Sequence, residues 1–238
     1  MDKLLALWSA PRSRSTAFFR AMAGRGDLRV VHEPFSYLAE FGQCAIDGEI
    51  VTSEPELIDA LRRLSATGPV FFKDTTDARY PGALADQRFL ARDGVHAFLI
   101  RHPVRTIASY QALNPDVRPE QIGFEALYEL YEAVFTATRS RPLVLDGDDF
   151  AARPAETMKA FCVYAGLDCD LSALRWERGE RTEWAPSARW HRDASESTGV
   201  HSRTNDYGID VASHPVFGNH LRRNLPFYEK LREHALTG

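Results

Sequence analysis

Short apolar segments alternate with amphipathic segments along most of the chain. Five apolar segments cover residues 4–8, 28–32, 70–72, 96–100 and 142–146. Several are too apolar for a half-exposed strand, which is typical of parallel strands covered on both faces. Helical spacing separates most of them, at residues 15–24, 55–66, 103–113, 120–139 and 154–166. The alternation predicts repeated βαβ units, and therefore an α/β fold of three layers with a mostly parallel central sheet between helices.

Charged side chains follow four of the predicted strands. The strands are followed, in chain order, by a loop with Arg12 and Arg14, by His32-Glu33, by Lys73-Asp74 and by Arg101-His102. In open α/β sheets, ligands bind outside the carboxyl ends of the strands. The pattern therefore predicts a ligand site along this edge of the sheet.

The chain beyond residue 167 is less regular. Residues 176–207 hold Trp176, Trp184 and Trp190 among polar residues, with no clear periodicity. A stretch of this length is either a functional lid or a poorly ordered segment. A final helix is predicted to start near Asn219 or Pro226. We treat residues 1–238 as one domain, with residues 1–167 as a nucleotide-binding core and residues 168–238 as a lid and acceptor region.

The composition and charge argue against several classes of protein. The 238 residues carry a formal net charge of −4, and the pI near 6.1 argues against a general nucleic-acid binder. Three cysteines match neither a disulfide framework nor a metal site and are interpreted as reduced thiols. No apolar run is long enough for a membrane span, and the first strand leaves no room for a signal peptide. We therefore expect a cytoplasmic protein without a membrane or nucleic-acid partner.

The sequence "WSAPRSRST", residues 8–16, connects the first predicted strand to the first predicted helix. Ser15 and Thr16 fall in the first helical turn, where unpaired N–H groups and the helix dipole favour an anion. Arg12 and Arg14 beside them indicate a phosphate or sulfate group. The glycines and lysine of a nucleotide-binding P-loop are absent. The alternative is a plain polar connection in which Ser13 or Ser15 caps the helix.

A second strand, basic turn and helix follow in "FLIRHPVRTIASY", residues 98–110. Arg101 closes the strand, and Pro103 suits the first helical turn. Ser109 lies about two turns into the helix. Because helical side chains lean towards the N-terminus, an anion at this turn would reach both Arg101 and Ser109.

Together the two stretches resemble the sulfotransferases that use 3′-phosphoadenosine 5′-phosphosulfate (PAPS), which have a P-loop-like α/β fold. In that family a P-[KR]-S-x-[ST]-T loop binds the 5′-phosphosulfate, and a later R-x-P followed by a serine binds the 3′-phosphate. "PRSRST" (11–16) and "RHP" (101–103) with Ser109 match these motifs, and residues 143–167 resemble the family's next strand and helix. The resemblance implies that Arg12 neutralises charge on the bridging oxygen of PAPS. The remaining donor-binding residues that it implies are Ser13, Arg14, Ser15, Thr16, Arg101 and Ser109.

The general base departs from the eukaryotic cytosolic branch of that family. That branch takes a histidine from just after the third strand, where this chain has "KDTTD" (73–77). Bacterial members with an R-S-x-S-T loop instead use a glutamate after the second strand, in an E-x-F context. Glu33 and Phe35 match that context, so the resemblance implies Glu33 as the general base, with His32 as its rival. Lys73 and Asp74 either orient a substrate or form a salt bridge. Arg105 is interpreted as a solvated helix residue, and Asp148 and Asp149 as turn or helix-capping residues.

The resulting hypothesis is sulfuryl transfer from PAPS to a hydroxyl of a small-molecule acceptor, leaving adenosine 3′,5′-bisphosphate (PAP). The sequence shows no metal-ligand cluster, and no metal is expected. Aromatic residues of 176–190, with Phe35 and Tyr37, are candidates for a hydrophobic acceptor pocket. Two alternatives stay open: a nucleotide-dependent kinase of a small molecule, and a non-catalytic sensor of PAP.

Overall fold

The structure is a computed structural model that describes residues 4–202 and 206–236. The strands are β1 Leu4–Ser9, β2 Arg29–His32, β3 Cys44–Ile46, β4 Glu49–Val51, β5 Val70–Thr75, β6 Gly94–Ile100 and β7 Leu143–Asp146. The helices are α1 Ser15–Gly24, α2 Pro34–Phe41, α3 Glu54–Ser65, α4 Pro81–Ala85, α5 Pro103–Gln111, α6 Phe124–Thr138, α7 Gly147–Ala152, α8 Pro154–Ala165, α9 Arg192–Glu196 and α10 Phe217–Arg232. Shorter helical turns cover Phe89–Asp93, Pro119–Ile122, Ser172–Leu174 and Thr182–Trp190.

The central sheet has five parallel strands in the order β2-β5-β1-β6-β7. These five are the strands that the apolar segments predict, so the parallel α/β sheet is confirmed. The small antiparallel hairpin of β3 and β4 was not predicted, because each of its strands is only three residues long.

The side chains of β1 point alternately to the two faces of the sheet, and this explains why helices cover both faces and form three layers. Leu5 and Leu7 belong to the core beneath α1 and α8. Leu4, Ala6 and Trp8 belong to the core on the opposite face, which α2, α3, α6 and α10 cover. Because consecutive side chains of a strand point to opposite faces, a strand buried on both faces needs the continuous apolar run seen in the sequence.

Six helices differ from the sequence prediction, and three of them, α4, α7 and α9, were missed because they are only five or six residues long. The pattern at 120–139 is divided at Gly123, whose φ of +85° ends the turn Pro119–Ile122 before α6 begins. A Cβ at Gly123 would lie 2.6 Å from the Thr76 carbonyl oxygen and 2.8 Å from Pro11 Cδ, so only glycine fits there. α10 starts at Phe217 and includes Pro226. α2 was missed because it follows β2 directly.

The carboxyl ends of all five parallel strands meet at one edge of the sheet, as parallel pairing requires. The segment after α8 returns to this edge, where the Thr182–Trp190 turn and α9 lie over the N-terminal half of α1. In the described part of the chain, no helix is both long enough and apolar enough to cross a membrane.

Candidate active site

A cavity of about 810 Å³ opens at the carboxyl ends of the strands. It is lined by seven of the eight residues that the sequence analysis selected, namely Arg12, Arg14, Ser15, Thr16, Glu33, Arg101 and Ser109. Ser13 lies beneath the loop with no exposed surface. Residues that are up to 97 positions apart, such as Arg12 and Ser109, therefore share one site.

The loop between β1 and α1 has a strained backbone. Arg12 has a φ of +64° and Arg14 a φ of +68°, in the left-handed region that glycine normally occupies. Glu33 has a φ of +45°. Three of the five non-glycine residues with positive φ in the described chain thus line this cavity. Strain of this kind, about 1–3 kcal/mol per residue, is concentrated at functional sites in proteins.

Arg12 joins three parts of the molecule. Its Nε donates to Ser109 Oγ at 3.0 Å and its Nη1 to the Trp190 carbonyl oxygen at 2.6 Å. Burial lowers the pKa of this guanidinium below its usual value, though it remains a permanent cation at any ordinary pH. A fixed positive charge therefore lies in the middle of the cavity.

A second group of cations meets at the side of the cavity near β6 and β7. Arg101 Nε lies 2.9 Å from Asp148 Oδ1 and Arg14 Nε 3.2 Å from the same oxygen, while Arg105 Nε lies 3.5 Å from Oδ2. The sequence indicated Arg105 as a solvated helix residue and Asp148 as a turn or capping residue. The cap of α7 is instead Asp146, which accepts from the backbone N–H of Asp148 at 2.7 Å.

The first turn of α1 provides polar groups next to these arginines. Ser13 Oγ is buried and has no hydrogen-bond partner among the described residues. Thr16 Oγ1 lies 2.9 Å from His191 Nδ1. An orphaned buried hydroxyl at a helix N-terminus, beside two arginines, suits an anionic ligand. The residues present therefore fit the phosphates of a nucleotide.

Glu33 connects the opposite wall of the cavity to the sheet. Its Oε1 accepts from the ammonium of Lys73, which is itself only 1% exposed. Its Oε2 lies 3.8 Å from His32 Nδ1 and 3.8 Å from His191 Nε2. One carboxylate oxygen is thus held by Lys73, and the other faces two imidazoles.

Both imidazoles are neutral. Burial, with the charge of Lys73 and of the other histidine, lowers the pKa of His32 well below its usual value. Burial, with the charges of Lys73 and Arg12, lowers the pKa of His191 to about 2. Neither histidine therefore forms an ion pair with Glu33. His32 is packed against the rings of Phe19 and Trp184, and the sequence offered no signal for His191.

Asp74 has a structural role. Its carboxylate accepts from the backbone N–H groups of Phe35 at 2.6 Å and of Ser36 at 3.1 Å, at the start of α2. Since α2 begins directly after Glu33, these bonds hold Glu33 at its place in the site. The sequence left two roles open for Lys73, and the structure shows one of them, a salt bridge, which is formed with Glu33.

One group in this site has the composition of a metal centre. His32, Glu33 and His191 place one donor atom each within 4.8 Å of one another, a convergence invisible in the sequence. Glu33 Oε1 is already bound to Lys73, and the positive charges that lower the histidine pKa values also repel a metal cation. The group is therefore better suited to hold a carboxylate in place than to bind a metal.

The hydrophobic acceptor pocket expected from the aromatic residues is not formed where it was predicted. Phe35 is packed in the core between Trp8 and Phe72, and Trp184 is fully buried. Trp190, from the same aromatic stretch, does line the cavity, together with polar residues, namely Ser36, Glu40, Thr75, Asp77, Tyr110, Asn114 and Gln121.

Comparison with known proteins gives a family for this arrangement. Residues 2–235 match the sulfotransferase domain family. Among solved structures, the sulfotransferase domain from the curacin biosynthetic pathway is 12% identical, with a TM-score of 0.53 over 96% of this chain and 98% of that chain. The sulfotransferase domain from the Synechococcus PCC 7002 olefin synthase is 15% identical, with a TM-score of 0.56 over 95% and 94%. At sequence identities this low, the structural similarity shows a shared fold and nothing further.

Two curated proteins of Arabidopsis thaliana are more similar in sequence. They are named branched-chain-amino-acid aminotransferase-like proteins 1 and 2, and they are 29% and 27% identical over 96% and 98% of this chain. The chain spans only 41% and 42% of their lengths, which is about two fifths of each relative.

Proposed function

The chain belongs to the sulfotransferase domain family, an enzyme family that uses PAPS, and on this premise we propose that it transfers a sulfuryl group from PAPS to the hydroxyl of a small polar molecule. The observation that carries the proposal is that Arg12 and Glu33 line one and the same cavity. A cation for the leaving group and a carboxylate for the acceptor are the two groups that in-line transfer requires.

Different arginines and hydroxyl groups bind the two phosphate-bearing ends of the donor. Ser15 and Thr16, with the N–H groups that start α1, bind the 5′-phosphate end of PAPS. Ser13, which the sequence also assigned to this phosphate, is buried beneath the loop and does not line the cavity. Arg101 and Ser109, which both line the cavity, bind the 3′-phosphate. Arg14, which the sequence assigned to the 5′-phosphate, shares Asp148 with Arg101 and is therefore also close to the 3′-phosphate.

The reaction exchanges one sulfur–oxygen bond for another. The acceptor oxygen attacks sulfur and gives its proton to Glu33, while the bond from sulfur to the bridging oxygen breaks. PAP leaves with that oxygen, and Arg12 stabilises the negative charge that develops on it. Glu33 Oε2 is the oxygen for the proton, because Oε1 is bound to Lys73.

His32 is a poor alternative to Glu33 as the base. Its pKa is lowered by burial, so its ring binds a proton weakly. Its Nδ1 lies 3.0 Å from the hydroxyl of Tyr37, and the ring is packed among aromatic side chains. This supports Glu33 as the group that accepts the proton.

The acceptor half of the cavity carries excess negative charge. Glu40 and Asp77 form no ion pair with any described residue, and Glu33 lies nearby. Burial, together with the charges of Glu33 and Glu40, raises the pKa of Asp77 to about 6. An anionic acceptor would be repelled by these carboxylates, whereas a neutral or cationic alcohol would not.

We therefore expect a small amino alcohol to be a better acceptor than a hydroxy acid of the same size. With PAPS as donor, 2-aminoethanol should give a higher kcat/KM than glycolate, measured as PAP released. A preference for glycolate would show that Arg118 or Arg189, which also line the cavity, determine acceptor charge instead.

The proposed donor is tested by thermal shift. PAP should raise the Tm in the presence of EDTA, since arginines and loop amides provide its binding charge. ATP with magnesium should raise the Tm less, because the chain lacks the glycine-lysine pair of nucleotide kinases. Equal stabilisation by ATP and magnesium, or loss of the PAP effect in EDTA, would contradict this donor assignment.

A further inference from the structure

Three arginines meet on a single carboxylate at the first turn of α7. Arg14 comes from the loop after β1, Arg101 from the end of β6 and Arg105 from α5, and all three place Nε within 3.5 Å of an Asp148 oxygen. Three positive charges and one negative charge leave a net charge of +2. That charge matches a phosphate dianion.

The way in which the arginines bind Asp148 leaves them able to bind a phosphate as well. Each guanidinium has five N–H donors, and the contact with Asp148 uses the Nε nitrogen in all three cases. Arg14 and Arg101 also line the cavity. Asp148 therefore leaves the Nη nitrogens of Arg101 available for a ligand, and among the described residues one of them has a hydrogen-bond partner, the Arg12 carbonyl oxygen at 3.4 Å.

The position of Asp148 is itself held by the backbone. Its N–H donates to Asp146 Oδ1 at 2.7 Å, so β7 determines where α7 begins. Gly147 allows this turn to approach the loop after β1, because a Cβ there would lie 2.3 Å from the Ser13 carbonyl oxygen. Asp148 is thus a fixed anchor beside the phosphate loop, and its side chain is one-third exposed.

We propose that Asp148 is a positioning residue for the donor: it holds Arg14, Arg101 and Arg105 together by their Nε nitrogens so that Arg14 and Arg101, which line the cavity, bind the 3′-phosphate of PAPS. The inference rests on the proposed function, because that function supplies the 3′-phosphate. Without the carboxylate, the like charges of Arg14 and Arg101 repel each other. Burial and the charge of Arg14 already lower the pKa of Arg101, and Asp148 opposes that effect.

The test compares two ligands that differ by the 3′-phosphate. Isothermal titration of Asp148→Asn should show PAP binding weakened about 10-fold and adenosine 5′-monophosphate binding changed less than twofold. Arg101→Ala should show the same split with a loss of PAP affinity of about 10–100-fold. In turnover, Asp148→Asn should raise the KM for PAPS and leave kcat within about twofold.

Two further variants separate positioning from folding. Asp149→Asn changes the neighbouring carboxylate, which lies 3.5 Å from Arg153, and should leave both ligands unaffected. Asp148→Glu keeps the negative charge and should recover part of the PAP affinity. Unchanged binding of the monophosphate by Asp148→Asn also shows that this variant is folded.

The possible failures are distinguishable. A wild-type protein that binds no PAP would overturn the proposed function, and this inference with it. Wild-type binding of PAP that Asp148→Asn leaves intact or tightens would overturn the inference alone, since a tighter complex would mean that Asp148 competes with the phosphate. Equal losses for both ligands would show a general structural role and would also overturn it.

Discussion

Replacing Glu33 by glutamine is expected to reduce turnover by about 10²–10⁴-fold, the usual effect of removing a general base. Glutamine keeps the size of glutamate and one oxygen that accepts hydrogen bonds, but it cannot take the proton of the acceptor hydroxyl. Because Glu33 is not among the groups that are proposed to hold the donor's phosphates, the affinity for PAP should change little. The measurement is PAP release from PAPS with the best acceptor, alongside PAP titration of the same preparation.

Two variants make this result specific. Glu40→Gln removes an exposed carboxylate from the same helix and the same cavity, and it should keep kcat within a few-fold of the wild type. His32→Ala should lose stability while retaining measurable turnover. A fully active Glu33→Gln together with an inactive but folded His32→Ala would assign the base to His32.

Replacing Arg12 by alanine is expected to lower kcat by about 10²–10³-fold, as does removal of a single group that stabilises transition-state charge. The guanidinium is the cation that the proposal places on the bridging oxygen. Its hydrogen bonds to Ser109 and to the Trp190 carbonyl oxygen hold it in place. The loss should be greater in kcat than in PAP affinity, because the charge develops only in the transition state.

The matched control for Arg12 is Arg189→Ala. Arg189 is exposed and lines the same cavity, and its Cζ lies 4.8 Å from the centroid of the Trp190 ring. Arg189→Ala therefore removes the same charge as Arg12→Ala without touching the proposed leaving group. We expect at most a few-fold loss for it. Arg12→Lys should recover part of the activity, since it restores the charge but not both hydrogen bonds. Equal losses for Arg12→Ala and Arg189→Ala would contradict a specific role for Arg12.

The two loop motifs could be recognised in the sequence because each is a short continuous stretch of residues. "PRSRST" and Arg101-x-Pro sit at a strand end followed by a helix, and strands and helices have periodicities that show in the sequence. The family and the fold that these motifs implied are confirmed. The roles of Arg12, Glu33 and the donor-binding residues remain predictions that the variants test.

Three features of the site could not be predicted from short stretches of the sequence. Asp148 was interpreted as a capping residue because a carboxylate at a predicted turn usually is one, and its three arginines come from three separate elements. His191 lies in a stretch without periodicity, 158 positions after Glu33. The aromatic residues near Trp184 were assigned to an acceptor pocket, since composition alone does not distinguish a ring in the core from a ring in a cavity.

The sequence by itself determined the five strands of the parallel sheet and their order along the chain, the burial of that sheet on both faces, and the two strand ends at which an anion site is predicted. Each of these depends on spacing within a few residues. Only the tertiary structure decided that Lys73 binds Glu33, that Asp74 caps α2, that burial lowers the pKa values of His32 and His191, and that Glu40 and Asp77 line the same cavity as Glu33. Those properties depend on distance and burial between side chains far apart in the chain, and a hydrogen bond or a pKa shift exists only once packing has brought the groups together.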